Sequence, residues 1–106
     1  MTDILVNKSQ WDALSDEEQQ KITNGLIGTG AMRNIDRIVG DDSVPPMDEN
    51  TELEPLWNPI KDVCQGLCDA AAIAALGWCT TNTGGIGLAV CIAAAEAVRA
   101  ECKKRC

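Results

Sequence analysis

The sequence predicts an all-α protein: a disulfide-stapled antiparallel helical hairpin, over about residues 59–80 and 86–104, preceded by a weakly structured acidic segment with one or two short helices. Three observations predict it. The six cysteines, Cys64, Cys68, Cys79, Cys91, Cys102 and Cys106, form a mirror, C-x3-C-x10-C-x11-C-x10-C-x3-C, centred near Gly85. The chain of 106 residues has no Phe, Tyr or His, so its apolar side chains are mostly small. Small side chains remove little area from water, and a short chain of this kind needs covalent staples. Charge is also split. Residues 1–56 carry four basic and twelve acidic side chains, a net of −8, whereas residues 57–106 carry five and four, a net of +1.

In the first segment, Ser15-Asp16-Glu17-Glu18 reads as a capping box. The Ser hydroxyl accepts from a free first-turn N–H, and the carboxylates suit the positive end of the helix dipole. A helix is therefore expected over about 16–27, with Ile22 and Leu26 on one face, ended by Gly28-Thr29-Gly30. Met32, Ile35, Ile38 and Val39 have helical spacing and suggest a second short helix over 31–39, stopped at Gly40. Neither is long enough to be stable alone. This gives an acidic leader-like unit over 1–39. An acidic, proline-rich linker follows over 40–58, expected to be mobile and open to proteases.

In the second segment, 59–106, Asn58 and Pro59 suit a helix start. Thr81-Asn82-Thr83-Gly84-Gly85 is a turn by composition. Lys103, Lys104 and Arg105 fall where a helix C-terminus favours cations. Eleven residues at about 100° each turn only about 20° past three full turns. Cys68 and Cys79 therefore share a helix face, as do Cys91 and Cys102. Among the roughly fifteen pairings that six cysteines allow, the nested one, Cys64–Cys106, Cys68–Cys102 and Cys79–Cys91, needs no distortion of either helix. Facing alanines, with Ala75 expected opposite Ala95, let the backbones approach to the roughly 5.5–6 Å between Cα atoms that a disulfide wants. Closing the inner loop of 13 residues contributes about 3 kcal/mol in the chain-entropy treatment. Two alternatives stay open: six buried free thiols, and a metal held by Cys64, Cys68, Cys102 and Cys106 at the open end. Thioether cross-links are a third fate of the same sulfurs.

Other chemistry is sparse. Without His there is no Ser-His-Asp or Cys-His nucleophile and no imidazole ligand. The glycines at 25–30 and 83–87 lack the Lys of a phosphate-binding loop. Asp69 and Glu96 are read as a solvated pair across the hairpin. No enzyme, no resident cofactor and no nucleic-acid partner are expected, the last because phosphate repels so acidic a chain. Trp57 and Trp78 are read either as core packing or as membrane-interface side chains, and with Lys103, Lys104 and Arg105 they are the candidate membrane or receptor contacts. The N-terminus Met-Thr-Asp-Ile-Leu-Val-Asn has no secretory signal pattern, which leaves a dedicated exporter that reads a leader.

The layout of acidic leader, proline-rich hinge and Cys-rich, Ala-rich module, with Gly66-Leu67-Cys68, Gly77-Trp78-Cys79 and Gly87-Leu88-Ala89-Val90-Cys91, resembles ribosomally synthesised bacteriocin precursors. The paired Cys-x3-Cys motifs at Cys64/Cys68 and Cys102/Cys106 are similar to those of plant α-hairpinins. The twin Cys-x10-Cys at Cys68/Cys79 and Cys91/Cys102 resembles the twin Cys-x9-Cys of intermembrane-space helical hairpin proteins. The first resemblance implies a precursor made in the cytoplasm, whose leader meets processing and export machinery. Its hairpin is then secreted to act on a target membrane or receptor as an antimicrobial peptide. All three resemblances imply an oxidised helical hairpin, and the alternative to the precursor is an intracellular or intermembrane-space hairpin module that binds a metal or a protein partner.

Overall fold

The computed structural model describes residues 3–46 and 63–104. The expected linker residues 47–58, the expected helix start at 59–62, Trp57, Arg105 and Cys106 lie outside the described residues. So does the expected Cys64–Cys106 pair, through Cys106. The elements run β1 (Asp3–Asn7), α1 (Lys8–Asp12), α2 (Asp16–Gly28), β2 (Arg37–Asp41), α3 (Val63–Asn82) and α4 (Gly85–Lys104).

The protein is mostly helical, but it is not all-α. β1 and β2 pair as a parallel two-stranded sheet, with Asp3 opposite Arg37, Ile4 opposite Ile38 and Val6 opposite Gly40. β1 forms because Ile4 and Val6 alternate with exposed Asp3 and Leu5, so one strand face is apolar and enters the core. Asn7 ends the strand and caps α1, its side chain accepting from the Gln10 N–H at 3.0 Å. α1 and α2 then make the crossover that parallel strands require.

α2 is bounded as its sequence signals indicate. Ser15 accepts from the Glu18 N–H at 3.2 Å. At the other end Gly30 sits at φ 84°. Its N–H donates to the Ile27 carbonyl and that of Ala31 to the Leu26 carbonyl, a Schellman closure that only a residue at ease with positive φ completes cheaply.

The helix expected over 31–39 does not form. Asp36 folds back onto Arg33, accepting from its backbone N–H at 3.2 Å and from its guanidinium at 3.1 and 3.3 Å. That local ring makes a turn, and the chain leaves it extended into β2. A five-residue run with Ile38 buried and Arg37 exposed suits a strand as well as a helix, and pairing with β1 decides the matter.

α3 and α4 form the antiparallel hairpin. α3 runs to Asn82, two residues beyond the expected end at 80. Thr80, Thr81, Asn82 and Thr83 each donate a side-chain bond to the carbonyl four residues back, at 2.6–3.0 Å, and so turn their polar groups onto the helix backbone at this end. Gly85 then reverses the chain at φ 58°.

One core joins the two halves of the chain. Ile4, Val6, Ile22, Leu26, Met32 and Ile38 come from the N-terminal half; Ala75, Cys79, Val90, Cys91, Ala93, Ala94, Ala95 and Val98 come from the hairpin. The large side chains are thus on one side and the small ones on the other. Each fully buried Ile, Leu or Val removes enough area from water to contribute about 1.5–3 kcal/mol. The N-terminal half therefore supplies much of the apolar stabilisation that an alanine-rich hairpin lacks.

Candidate functional site: the cross-linked hairpin

The hairpin carries the chemistry of this chain. Cys68 bonds to Cys102 and Cys79 to Cys91, each with 5.7 Å between Cα atoms. That separation is the usual one for a disulfide, and Ala72, Ala75, Ala94 and Ala95 are all buried between and around the rungs. Among the described residues no cysteine is free. Of the candidate metal ligands, Cys68 and Cys102 are bonded to one another, and Cys106 is outside the described residues.

The two helices meet different surroundings. Every residue from Ala89 to Ala95 is buried, so α4 is covered on all sides over two turns. α3 is buried only where it meets α4 and α2. Its outer face presents Leu67 (67% exposed), Ala70, Ile73 (53%), Ala74 and Gly77 to solvent. Asp69 is the only charged residue in α3, and it turns inward to α4. An uncharged apolar strip is left on the outside of the hairpin. Among the described residues no helix is long and apolar enough to cross a membrane.

At the open end Asp69 is held by two cations. It accepts from Arg99 at 2.7 Å and Lys103 at 2.8 Å, both on α4. Arg99 and Lys103 are one turn apart, so a single carboxylate reaches both. Burial alone would raise the Asp69 carboxyl, but the hydrogen bonds and charges of Lys103 and Arg99 outweigh it and hold its pKa below the ordinary value. Of the candidate contact cations, Lys103 is therefore engaged inside the hairpin, while Lys104 is largely exposed beside Glu101 at 3.4 Å.

Trp78 is half-buried and packs against the shared core. Its indole lies directly on Gly25 of α2: a Cβ built there would overlap ring carbons Cζ2, Cη2 and Cε2. A second close approach comes from Glu18, whose Oε2 lies 3.1 Å from the place a Cβ would take on Gly87 of α4. Sequence reading overlooked both glycine contacts. The available signal was a glycine inside a helical pattern at Gly25, which commonly marks close packing. A cavity of about 150 Å³ sits where β1, the 30–36 turn and the end of α4 meet, lined by Ile4, Arg33, Asp36, Val98, Glu101 and Cys102 among others.

Comparison with protein-family models, curated proteins and solved structures finds no match to this chain.

Proposed function

We propose that this chain is the precursor of a secreted, disulfide-rich antimicrobial peptide. In this reading the N-terminal half is a leader that guides processing and export, and the hairpin acts on a membrane or a receptor. The observation that carries it is the placement of the cross-links. All six cysteines follow residue 63, and Cys68–Cys102 and Cys79–Cys91 both close within the hairpin. A cut between residues 46 and 63 therefore leaves a covalently closed hairpin, with the N-terminal half held to it by packing alone. Disulfides also fit an oxidising compartment, as a secreted product requires.

Two further features support the reading. The apolar outer strip of α3, with Leu67 and Ile73, offers surface for a bilayer or receptor. Removal of the leader also uncovers the face of α4 that now lies against β1 and α2, adding Val90 and Val98 to the apolar surface.

The test is an intact mass of the native product from producing cells, before and after reduction, with a growth-inhibition assay on the same material. A fragment near residues 57–106 that gains about 6 Da on reduction, two hydrogens per disulfide, and that inhibits related strains is the expected result. A full-length chain with free thiols or bound metal, or a hairpin that neither inhibits growth nor perturbs lipid vesicles, overturns it.

A further inference from the structure

α2 touches both helices of the hairpin beside the inner disulfide. Gly25 meets Trp78, the residue before Cys79, and Glu18 reaches Gly87, one turn before Cys91. Between them Ile22 is fully buried. Glu18, Ile22 and Gly25 stand at i, i+4 and i+7, so both contacts and the buried Ile22 lie on one face of α2.

Within the hairpin, the two-residue connection Thr83–Gly84 and the bridge from Asp69 to Arg99 and Lys103 favour one register, but the packed surface between the helices adds little to that choice. Ala72 and Ala75 on α3 and Ala94 and Ala95 on α4 are its buried small residues. Sliding one helix past the other by a turn, about 5.4 Å, sets alanine against alanine again. Such a slide would carry Cys79 out of reach of Cys91, whose Cα atoms are 5.7 Å apart. To the connection and the Asp69 bridge α2 adds two further fixed points, both beside the inner disulfide.

We infer that α2 is a folding template for oxidation: its Glu18–Ile22–Gly25 face holds α3 and α4 in the register at which Cys79 meets Cys91. The chemistry is ordinary thiol–disulfide exchange with a small disulfide oxidant such as oxidised glutathione. One cysteine thiolate attacks the oxidant, forms a mixed disulfide and releases one glutathione thiolate. The second cysteine thiolate attacks the mixed disulfide and releases the other. Two protons and two electrons leave the protein, and the oxidant becomes two thiols. The template makes the second attack intramolecular and aligned. This role stands whether or not the released hairpin is antibacterial, so a failed growth-inhibition assay does not touch it.

The test uses the full chain, reduced in denaturant and diluted into a glutathione redox buffer, with alkylation at intervals and disulfide mapping by peptide mass spectrometry. Three variants leave every hairpin residue unchanged. Gly25→Ile drives a side chain into Trp78, Ile22→Asp undocks α2, and Gly28→Ala, with nothing within 4 Å of the new methyl, is the control. Wild type and Gly28→Ala are expected to form the isomer with Cys68–Cys102 and Cys79–Cys91 as the main product. In both α2-face variants that isomer forms more slowly and makes up a smaller share of the products than in wild type. Wild-type pairing at the wild-type rate in either of them overturns the inference, folded N-terminal half or not. So does an equal loss in Gly28→Ala.

Discussion

The indole of Trp78 and the backbone of Gly25 are in direct contact, with no room for a side chain between them. The contact ties the cross-linked hairpin to the acidic half of the chain. It also sets two opposing effects against each other. Alanine is the better helix former by about 1 kcal/mol, yet at position 25 its methyl occupies the place of the ring. Overpacking of this kind costs about 1–3 kcal/mol. Gly25→Ala is expected to lower the urea midpoint, whereas Gly28→Ala in the same helix, facing open space, is expected to raise it slightly.

Two neighbours on β1 should behave oppositely. Ile4 is 1% exposed and Leu5 is 41% exposed. Ile4→Ala removes a side chain from the shared core and is expected to cost about 2–4 kcal/mol. Leu5→Ala should stay within about 0.5 kcal/mol. Equal losses in thermal or urea melts would contradict the placement of the strand against α4.

Asp69 links stability to acid. Its folded pKa is lowered, so it contributes stability that is fully present above the unfolded value and is lost as pH falls through the folded one. The unfolded value lies near 3.9. Asp69 and its partners Arg99 and Lys103 are 22%, 16% and 34% exposed. After discount for solvent screening, Asp69→Asn is expected to cost about 1 kcal/mol at pH 7. The gap between the melting curves of wild type and Asp69→Asn should narrow as the pH falls below the unfolded value and on through the lowered folded one. A gap that persists in acid would place the effect elsewhere.

The two described disulfides should differ in access. Cys79 and Cys91 are fully buried under the shared core, whereas Cys102 is partly exposed. Exchange needs an approaching thiolate. Mild thiol treatment of the folded chain is expected to open Cys68–Cys102 first, and Cys79–Cys91 only as the core unfolds. Differential alkylation followed by peptide mapping reads the order.

The hairpin and its two described rungs were legible because cysteine spacing counts helical turns, and a mirror of spacings implies a reversal at its centre. α2 was legible from Ser15 and Gly30, whose roles are local. The sheet was not. Ile4 and Val6 alternate over only five residues, and their partner strand lies more than thirty residues on. The run from Met32 to Val39 satisfies a helical period as well as an extended one. The Arg33–Asp36 turn and the pairing of Ile38 with Ile4 decide between them. Within the candidate site, Asp69 was noticed, but its partners Arg99 and Lys103 were not. A pairing with Glu96 rests on proximity along the hairpin, whereas Arg99 and Lys103 offer the carboxylate opposite charge. The placement of Trp78 required Gly25, more than fifty residues away.

The parallel pairing of β1 with β2 has a consequence in time. Synthesis runs from the N-terminus. Both strands and the whole of α2 lie ahead of Cys64 in the chain, with Asp41 closing the sheet 23 residues before it. Every residue that α2 presents to the hairpin is therefore translated before the first thiol. The cysteines follow that face into the chain, and Cys106 comes after the other five.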